Sequence, residues 1–254
     1  MTCVGVLGVG HLIKHLMPAL MKTGRRFVLS QRNAAISADL QKRFGVEIRE
    51  NTQSIVDEAD IVIVAVRPFQ VAALCDGLRF RDGQILLSLC AGIHLTDLAI
   101  LAHPAIAVRA MPVIAGEFGE SPTLLCPDNE KCRDLLAPCG PILVLRDEAE
   151  FEPASVAACY FGWVQNLIGT MAEWTSENGV SPETSRLLIA QMTRAAGTLV
   201  RERTETSVDD LVTEITPPRS LTGLGLDHLK DENAFLPWRQ AGDRVLSSIV
   251  KKQD

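Results

Sequence analysis

Two hydrophobic rhythms run along this chain, and the point where one gives way to the other divides it. Up to about residue 150, short and mostly apolar runs recur at 2–7, 27–30, 46–48, 60–66, 85–89, 105–109, 123–126 and 142–145. Between them the apolar spacing lengthens to three or four, as with Leu12, Leu16, Ala19 and Leu20 in 11–21. The same spacing predicts helices over 34–44, 69–78 and 95–101, a brief one from Asn51 or Thr52 to Glu58, and another from Glu130. Solid apolar runs suit strands buried on both faces. Their alternation with helices predicts a parallel sheet covered on both sides, a doubly wound α/β domain over 1–150.

Beyond residue 150 the strand runs stop. Residues 152–203 carry only helical spacing, interrupted at Asn178-Gly179-Val180-Ser181-Pro182, where Ser181 followed by Pro182 makes a good helix opening. Ser207 starts a further helix, and Thr216-Pro217-Pro218-Arg219-Ser220 breaks it ahead of helical spacing over 221–232 and 235–250. The expectation is an all-helical second domain over 151–254. Its apolar faces are too wide for a lone hairpin, which predicts that helices of two subunits pack together in a homodimer.

Composition narrows the partners. A hydrophobic content of 47% and a charged content of 22% suit an ordinary globular protein. The net charge of −6 argues against nucleic acid as the main partner. No apolar run approaches the roughly 18–20 residues of a membrane span. With a strand run at its very start, the chain is expected to carry no signal peptide. Seven scattered cysteines, an odd number, read as reduced thiols in a cytoplasmic protein. No Cys-x-x-Cys pair suggests a metal, and none is expected.

The chemistry is concentrated near the start. Gly8-Val9-Gly10 joins the first strand run to the first helix, and His11 and Leu12 follow. Glycines there let the backbone turn tightly and approach a pyrophosphate, while the unpaired N–H groups of the helix face the anion. The third glycine of the usual motif is replaced by Ile13. After the second strand an NAD enzyme places a carboxylate for the ribose 2′-hydroxyl. This chain has Ser30-Gln31-Arg32-Asn33, with no carboxylate to repel a phosphate and a guanidinium and a hydroxyl to bind one. The pattern argues for NADP over NAD; the competing reading is a solvated polar turn.

Ligands in such sheets gather at the carboxyl ends of strands. Those ends add Ala65, Val66, Arg67 and Pro68, then Ala91 and Gly92, then Arg109. Arg67 is either a cofactor-phosphate partner or an exposed loop charge. Ala91-Gly92 either lets the chain pass close to a nicotinamide ring or is simply a tight turn. Arg109 either meets an anion or props up a neighbouring loop. Among the histidines, His11 lies in the glycine loop, His15 and His103 read as surface residues, and His94 either stands near a reacting centre or, as lone histidines more often do, serves the structure. Cys90 and Cys159 have no visible partner base, so no nucleophile is assigned.

Taken in order, G-V-G, S-x-R at 30–32, A-V-R-P at 65–68, S-L-C-A-G-I at 88–93 and V-R-A-M-P at 108–112 resemble pyrroline-5-carboxylate reductase. That family shows A-V-K-P, S-x-x-A-G-I and R-x-M-P-N at similar separations, and in the helical half E-N-G-V-S-P at 177–182 and Gln191 have counterparts. The resemblance implies a Rossmann domain followed by a helical domain that interlocks two subunits, often assembled further. It implies reduction of the C=N bond of a cyclic imino acid to proline with NADPH or NADH. The family's substrate loop S-P-G-G-x-T falls on 217–222, which makes Arg219, Ser220 and Thr222 the implied ligands of an anionic imine, with Thr222 assisting proton delivery. Three departures stand out. Val113 replaces the asparagine after M-P, Arg219 and Ser220 replace two glycines, and Ala158-Cys159-Tyr160-Phe161-Gly162 replaces G-S-G-P-A. They leave open an NADP-dependent reductase of another imine or small carbonyl compound, or a cofactor-binding protein without catalysis.

Overall fold

In the computed structural model of the protein, which describes residues 2–31 and 33–250 (Val250 by its backbone alone), the apolar runs pair into one eight-stranded sheet. Its strands are β1 (Cys3–Leu7), β2 (Arg26–Ser30), β3 (Glu47–Arg49), β4 (Ile61–Val64), β5 (Ile85–Ser88), β6 (Ile106–Met111), β7 (Thr123–Cys126) and β8 (Ile142–Val144). They lie in the order 3-2-1-4-5-6-7-8, with β1 to β6 all parallel. The architecture is Rossmann-like. Chain direction across the sheet reverses between β1 and β4, the position where such sheets open a crevice for ligands.

Helices α1 (His11–Leu20), α2 (Ala34–Phe44), α3 (Thr52–Glu58), α4 (Val71–Cys75), α5 (Leu95–Leu101) and α6 (Glu130–Leu136) connect the strands. The two-residue period of a strand divides the core between the two faces of the sheet. In β4, Ile61 and Ile63 join Val6, Ile13, Leu16 and Leu40 on one face. Val62 and Val64 join Leu7, Ile55, Val71 and Leu98 on the other.

The expected parallel-dominated sheet is present with one strand reversed, and one expected helix is cut short. The sheet is not wholly parallel, because β7 runs antiparallel to β6. Residues 112–122 between them hold only a short 3-10 helix, Ile114–Phe118, and a parallel crossover needs a longer connection, usually an α-helix. The helix expected over 69–78 is also shorter. It opens as a 3-10 turn at Pro68–Gln70 and ends at Cys75, because Asp76 leaves the helical region and Gly77 takes φ +73.

At the outer edge, Arg26 reaches Glu47 at 2.6 Å and Glu58 at 2.5 Å, and Arg49 pairs with the same carboxylates at 2.6 and 3.0 Å. The Arg26 guanidinium holds the Glu47 carboxyl down to about 2 and also lowers that of Glu58. Groups depressed in the folded state stabilise it above their unfolded pKa, and that stability is lost as pH falls through the folded value. Because these side chains are partly exposed, the effect is modest. An Arg26→Gln variant is expected to melt no more than about 2–4 °C below the parent at pH 7. That gap should close between about pH 4.5 and 2, read by circular dichroism, and a gap independent of pH would remove the assignment.

The chain divides into two compact units, one reaching Ser155 and the other spanning Val156–Ser247. Helices α7 (Phe151–Glu177), α8 (Pro182–Glu202), α9 (Val208–Ile215), α10 (Leu221–Asp231) and α11 (Leu236–Val250) make up the second half. Serine side chains open three of them. Ser181 Oγ accepts from Thr184 N–H at 3.2 Å, Ser207 Oγ from Asp210 N–H at 3.1 Å, and Ser220 Oγ from Gly223 N–H at 2.9 Å. In the second unit Leu211 is the one buried apolar side chain among the described residues, while Tyr160, Trp174, Leu187, Met192 and Leu224 are all more than half exposed.

Candidate active site

The site begins where β1 ends. Gly8 turns the chain at φ +97, and a Cβ on it would stand 2.4 Å from Val66 Cγ1 and 2.7 Å from the Ala65 carbonyl oxygen. Only glycine fits this turn. Gly8 N–H donates to Ser30 Oγ at 3.1 Å, and Ala65 N–H donates to the Leu7 carbonyl at 2.9 Å. The ends of β1, β2 and β4 are thereby tied together around one glycine.

Gly10 is the N-cap of α1, with no side chain capping the helix and no acidic residue in its first turn. A Cβ at Gly10 would meet nothing within 4 Å. Uncapped N–H groups beside an open approach suit an anion, and the residues present fit a dinucleotide pyrophosphate. Leu12 is half-buried and packs on the core, and Ile13, in place of the third glycine, is fully buried in it.

Ser30 is half-buried, with its hydroxyl accepting from Gly8 and still able to donate. Asn33 is exposed and caps α2, its Oδ1 accepting from Ile36 N–H at 3.3 Å. Arg32 lies outside the described residues. Ala65 and Val66 are half-buried, and Arg67 and Pro68, directly after them, are exposed, with Pro68 opening the 3-10 turn. Ala91 and Gly92 form the turn after β5, Gly92 at φ +68. The buried Cys90 thiol beside them donates to the Val66 carbonyl at 3.1 Å, tying this turn to the end of β4. Gly8, Gly10, Ser30, Ala65, Val66, Ala91 and Gly92 therefore share one end of the sheet.

Arg109 is fully buried, and its ligands come from the chain itself. Its Nη1 donates to Glu148 Oε1 at 2.8 Å and its Nη2 to Glu152 Oε1 at 2.7 Å, with the guanidinium 3.8 Å from the centroid of the Phe151 ring. Glu148 also accepts from Leu95 N–H at 2.6 Å and stands 3.6 Å from His94 Nδ1. Arg109 thus anchors the head of α7 and the start of α5. Nothing in the sequence pairs residue 109 with residues about forty positions later.

His15 departs from its reading as a surface residue. Its Nδ1 lies 2.7 Å from Glu117 Oε2, and its Nε2 lies 3.2 Å from His11 Nε2. The His11/His15 spacing of one helical turn is visible in the sequence, but the Glu117 partner is not. These donors do not converge on one point, and no group of three or more metal-binding side chains is found among the described residues. Burial pushes the thiols of Cys75 and Cys139 up to about 11 and that of Cys132 to about 12, which makes them poor nucleophiles.

In the helical unit, Arg219 adopts a left-handed backbone at φ 66, a conformation that suits glycine. Arg219 and Ser220 line a cavity of about 370 Å³ with Asp227 and Lys230. Thr222, in the first turn of α10, is exposed and lies outside that lining. A second cavity of about 400 Å³ is lined by Gly162, Trp163 and Trp238.

Comparison with known proteins follows the same division. Residues 3–92 match the family described as NADP oxidoreductase coenzyme F420-dependent, and residues 152–246 match pyrroline-5-carboxylate reductase dimerisation. Pyrroline-5-carboxylate reductase of Vibrio alginolyticus is 23% identical over 98% of this chain and 92% of its own length. In its helical half by the dimerisation match, and along its length by such relatives, the chain is similar to pyrroline-5-carboxylate reductases. Pyrroline-5-carboxylate reductase 1 of Dictyostelium discoideum is 26% identical over 89% of the chain, which covers 45% of that relative. The fold is shared with the reductase of Streptococcus pyogenes, at a TM-score of 0.85 and 21% identity over 97% of both chains. It is also shared with the Plasmodium falciparum reductase solved with NADP bound, at a TM-score of 0.86 and 18% identity over 100% of this chain and 98% of that one. The dimerisation match begins at the head of α7, where Phe151 and Glu152 meet Arg109.

Proposed function

We propose that this chain is an NADPH-dependent reductase of a cyclic imino acid, of the pyrroline-5-carboxylate to proline type. The observation that carries this reading is the uncapped glycine turn at the crevice, joined to a β2 end that holds no carboxylate, in a chain similar to these reductases. The N–H groups around Gly10, His11 and Leu12 hold the pyrophosphate. Ser30, Arg32 and Asn33 take the 2′-phosphate, the feature that favours NADPH over NADH. Arg67 adds charge beside it, Pro68 fixes the adjoining backbone, and Ala65, Val66, Ala91 and Gly92 present a slim surface to the ring. When bound, NADPH supplies a hydride to the C=N carbon. A protonated imine is already strongly electrophilic, so the protein has mainly to orient it and exclude water. Arg219 and Ser220 are assigned to the substrate carboxylate, and Thr222 to the same anion and to proton delivery through water.

Working as a homodimer is part of this reading. A helical unit that buries one apolar side chain of its own and exposes many has a face that a second copy covers, and the dimerisation match falls on it. A cytoplasmic setting agrees with cysteines that are all free. The chain's departures at Val113 and at Arg219-Ser220 favour one second reading, reduction of another imine or a small carbonyl compound in a reshaped pocket.

Consumption of NADPH at 340 nm with pyrroline-5-carboxylate, against a panel of other cyclic imines and carbonyl compounds, tests both readings. Turnover of pyrroline-5-carboxylate alone upholds the first, and turnover elsewhere in the panel upholds the second. NADPH binding without any turnover leaves a cofactor-binding protein of this fold. With the preferred anionic substrate, Arg219→Ala is expected to raise KM about tenfold, the worth of one charged hydrogen bond, with kcat little changed. An unchanged KM would remove Arg219 from the substrate site.

A further inference from the structure

Glu117, His15 and His11 form a hydrogen-bonded chain that ends beside the glycine turn. The 3-10 helix carrying Glu117 approaches α1 closely at Gly116 within it, where a Cβ would stand 2.5 Å from Leu16 Cδ2. The Glu117 carboxylate accepts at 2.7 Å from His15 Nδ1, so in neutral His15 the proton sits on Nδ1 and Nε2 is an acceptor. His11 must then donate from Nε2 across 3.2 Å. In the neutral pair this leaves the exposed His11 Nδ1 as a bare lone pair, unsuited to a phosphate oxygen. One further proton turns that nitrogen into a donor and makes the pair cationic, at the first helical position after Gly10.

We propose that His11 and His15 form a proton-coupled anion clamp that takes up a proton from solvent as the dinucleotide phosphates dock. This rests on the cofactor reading above and assigns a step within it. A cationic imidazole pair offers a docked anion a charge-assisted hydrogen bond, and the Glu117 carboxylate behind the pair accepts from His15. The other ionisable groups on elements packed against the pair are few. Lys14 lies on α1 itself, Glu120 follows the Glu117 turn, and Cys139 is buried in the neighbouring 3-10 turn. On α2, Asp39 and Arg43 pair with each other at 3.4 Å, and Lys42 lies between them. Glu117 is in direct contact with the pair through His15. His11 would be the phosphate contact, with His15 and Glu117 as positioning residues.

Titration calorimetry of the full chain with NADPH at pH 7.5, in phosphate and in Tris, measures protons exchanged on binding. The cofactor's own 2′-phosphate titrates near pH 6 and contributes equally to all variants, so the informative quantity is the difference between parent and variant. The parent is expected to take up more protons than His11→Gln, which keeps a polar side chain but cannot be protonated. Glu117→Gln is expected to lose most of the same excess while still binding. From pH 8 to 6 the parent should gain about three- to tenfold more affinity than His11→Gln. Binding with equal proton exchange in parent and His11→Gln would overturn the clamp and leave the cofactor reading standing. No NADPH binding by the parent would overturn both.

Discussion

Gly8→Ala is expected to abolish measurable NADPH binding and to lower the melting temperature by roughly 5 °C or more. Two costs combine. At φ +97 an alanine backbone is strained by about 1–3 kcal/mol, and its methyl group would lie 2.4 Å from Val66 Cγ1 and 2.7 Å from the Ala65 carbonyl oxygen. The valine can rotate, but the carbonyl belongs to Ala65, whose own N–H is bonded to Leu7 at the end of β1, and cannot retreat cheaply. The chain can relieve the overlap only by lifting the turn away from β4, which also stretches the Gly8 N–H bond to Ser30. Gly10→Ala supplies the contrast. Gly10 is extended, at φ −118, and its added methyl group meets nothing within 4 Å, so that variant should fold like the parent. It should still bind NADPH more weakly, because the methyl group occupies the open approach to the helix. Calorimetric melting and quenching of tryptophan fluorescence by NADPH measure both variants. A Gly8→Ala protein that melts and binds like the parent would show that this turn does not govern the site.

Arg109→Met is expected to cost about 3–5 kcal/mol of stability. The guanidinium is fully buried between Glu148 and Glu152 and over Phe151, so methionine fills its volume but leaves two carboxylates without their cation. Arg109 Nε has no hydrogen-bond partner among the described residues, so the cluster already bears one unmet desolvation cost. The triple variant Arg109→Met, Glu148→Gln, Glu152→Gln should recover a large part of the loss, because the stranded charges are gone. Urea denaturation of the three proteins decides the matter. A loss below about 1 kcal/mol in the single variant would mean that the cluster does not hold the head of α7.

Much of the first unit is legible from pattern because its strands are buried on both faces. An unbroken run such as Ile61 to Val64 has no other stable place than the middle of a covered sheet. The helix openings at Asn51, Ser181, Ser207 and Ser220 are equally legible, because a cap is a bond to the chain's own neighbours three residues on. Of the crevice residues, Gly8, Gly10, Ala65, Val66, Ala91 and Gly92 are readable because each follows a strand, and parallel strands deliver their carboxyl ends to the same side. The reversal of β7 is not readable in this way. Its run looks like the others, and its direction depends on whether the preceding link is long enough to cross the sheet.

Sequence by itself therefore determined the alternation of strands and helices, the glycine turn, the lack of a carboxylate after β2 and the change to an all-helical second half. These are local properties, set by spacing and by residues close in the chain. Tertiary structure alone decided that Glu148 and Glu152 neutralise Arg109, that Glu117 orients His15 and through it His11, and that Gly8 is locked against the end of β4. Each joins residues tens of positions apart, and electrostatic pairing and close packing depend on distances in space that no periodicity records.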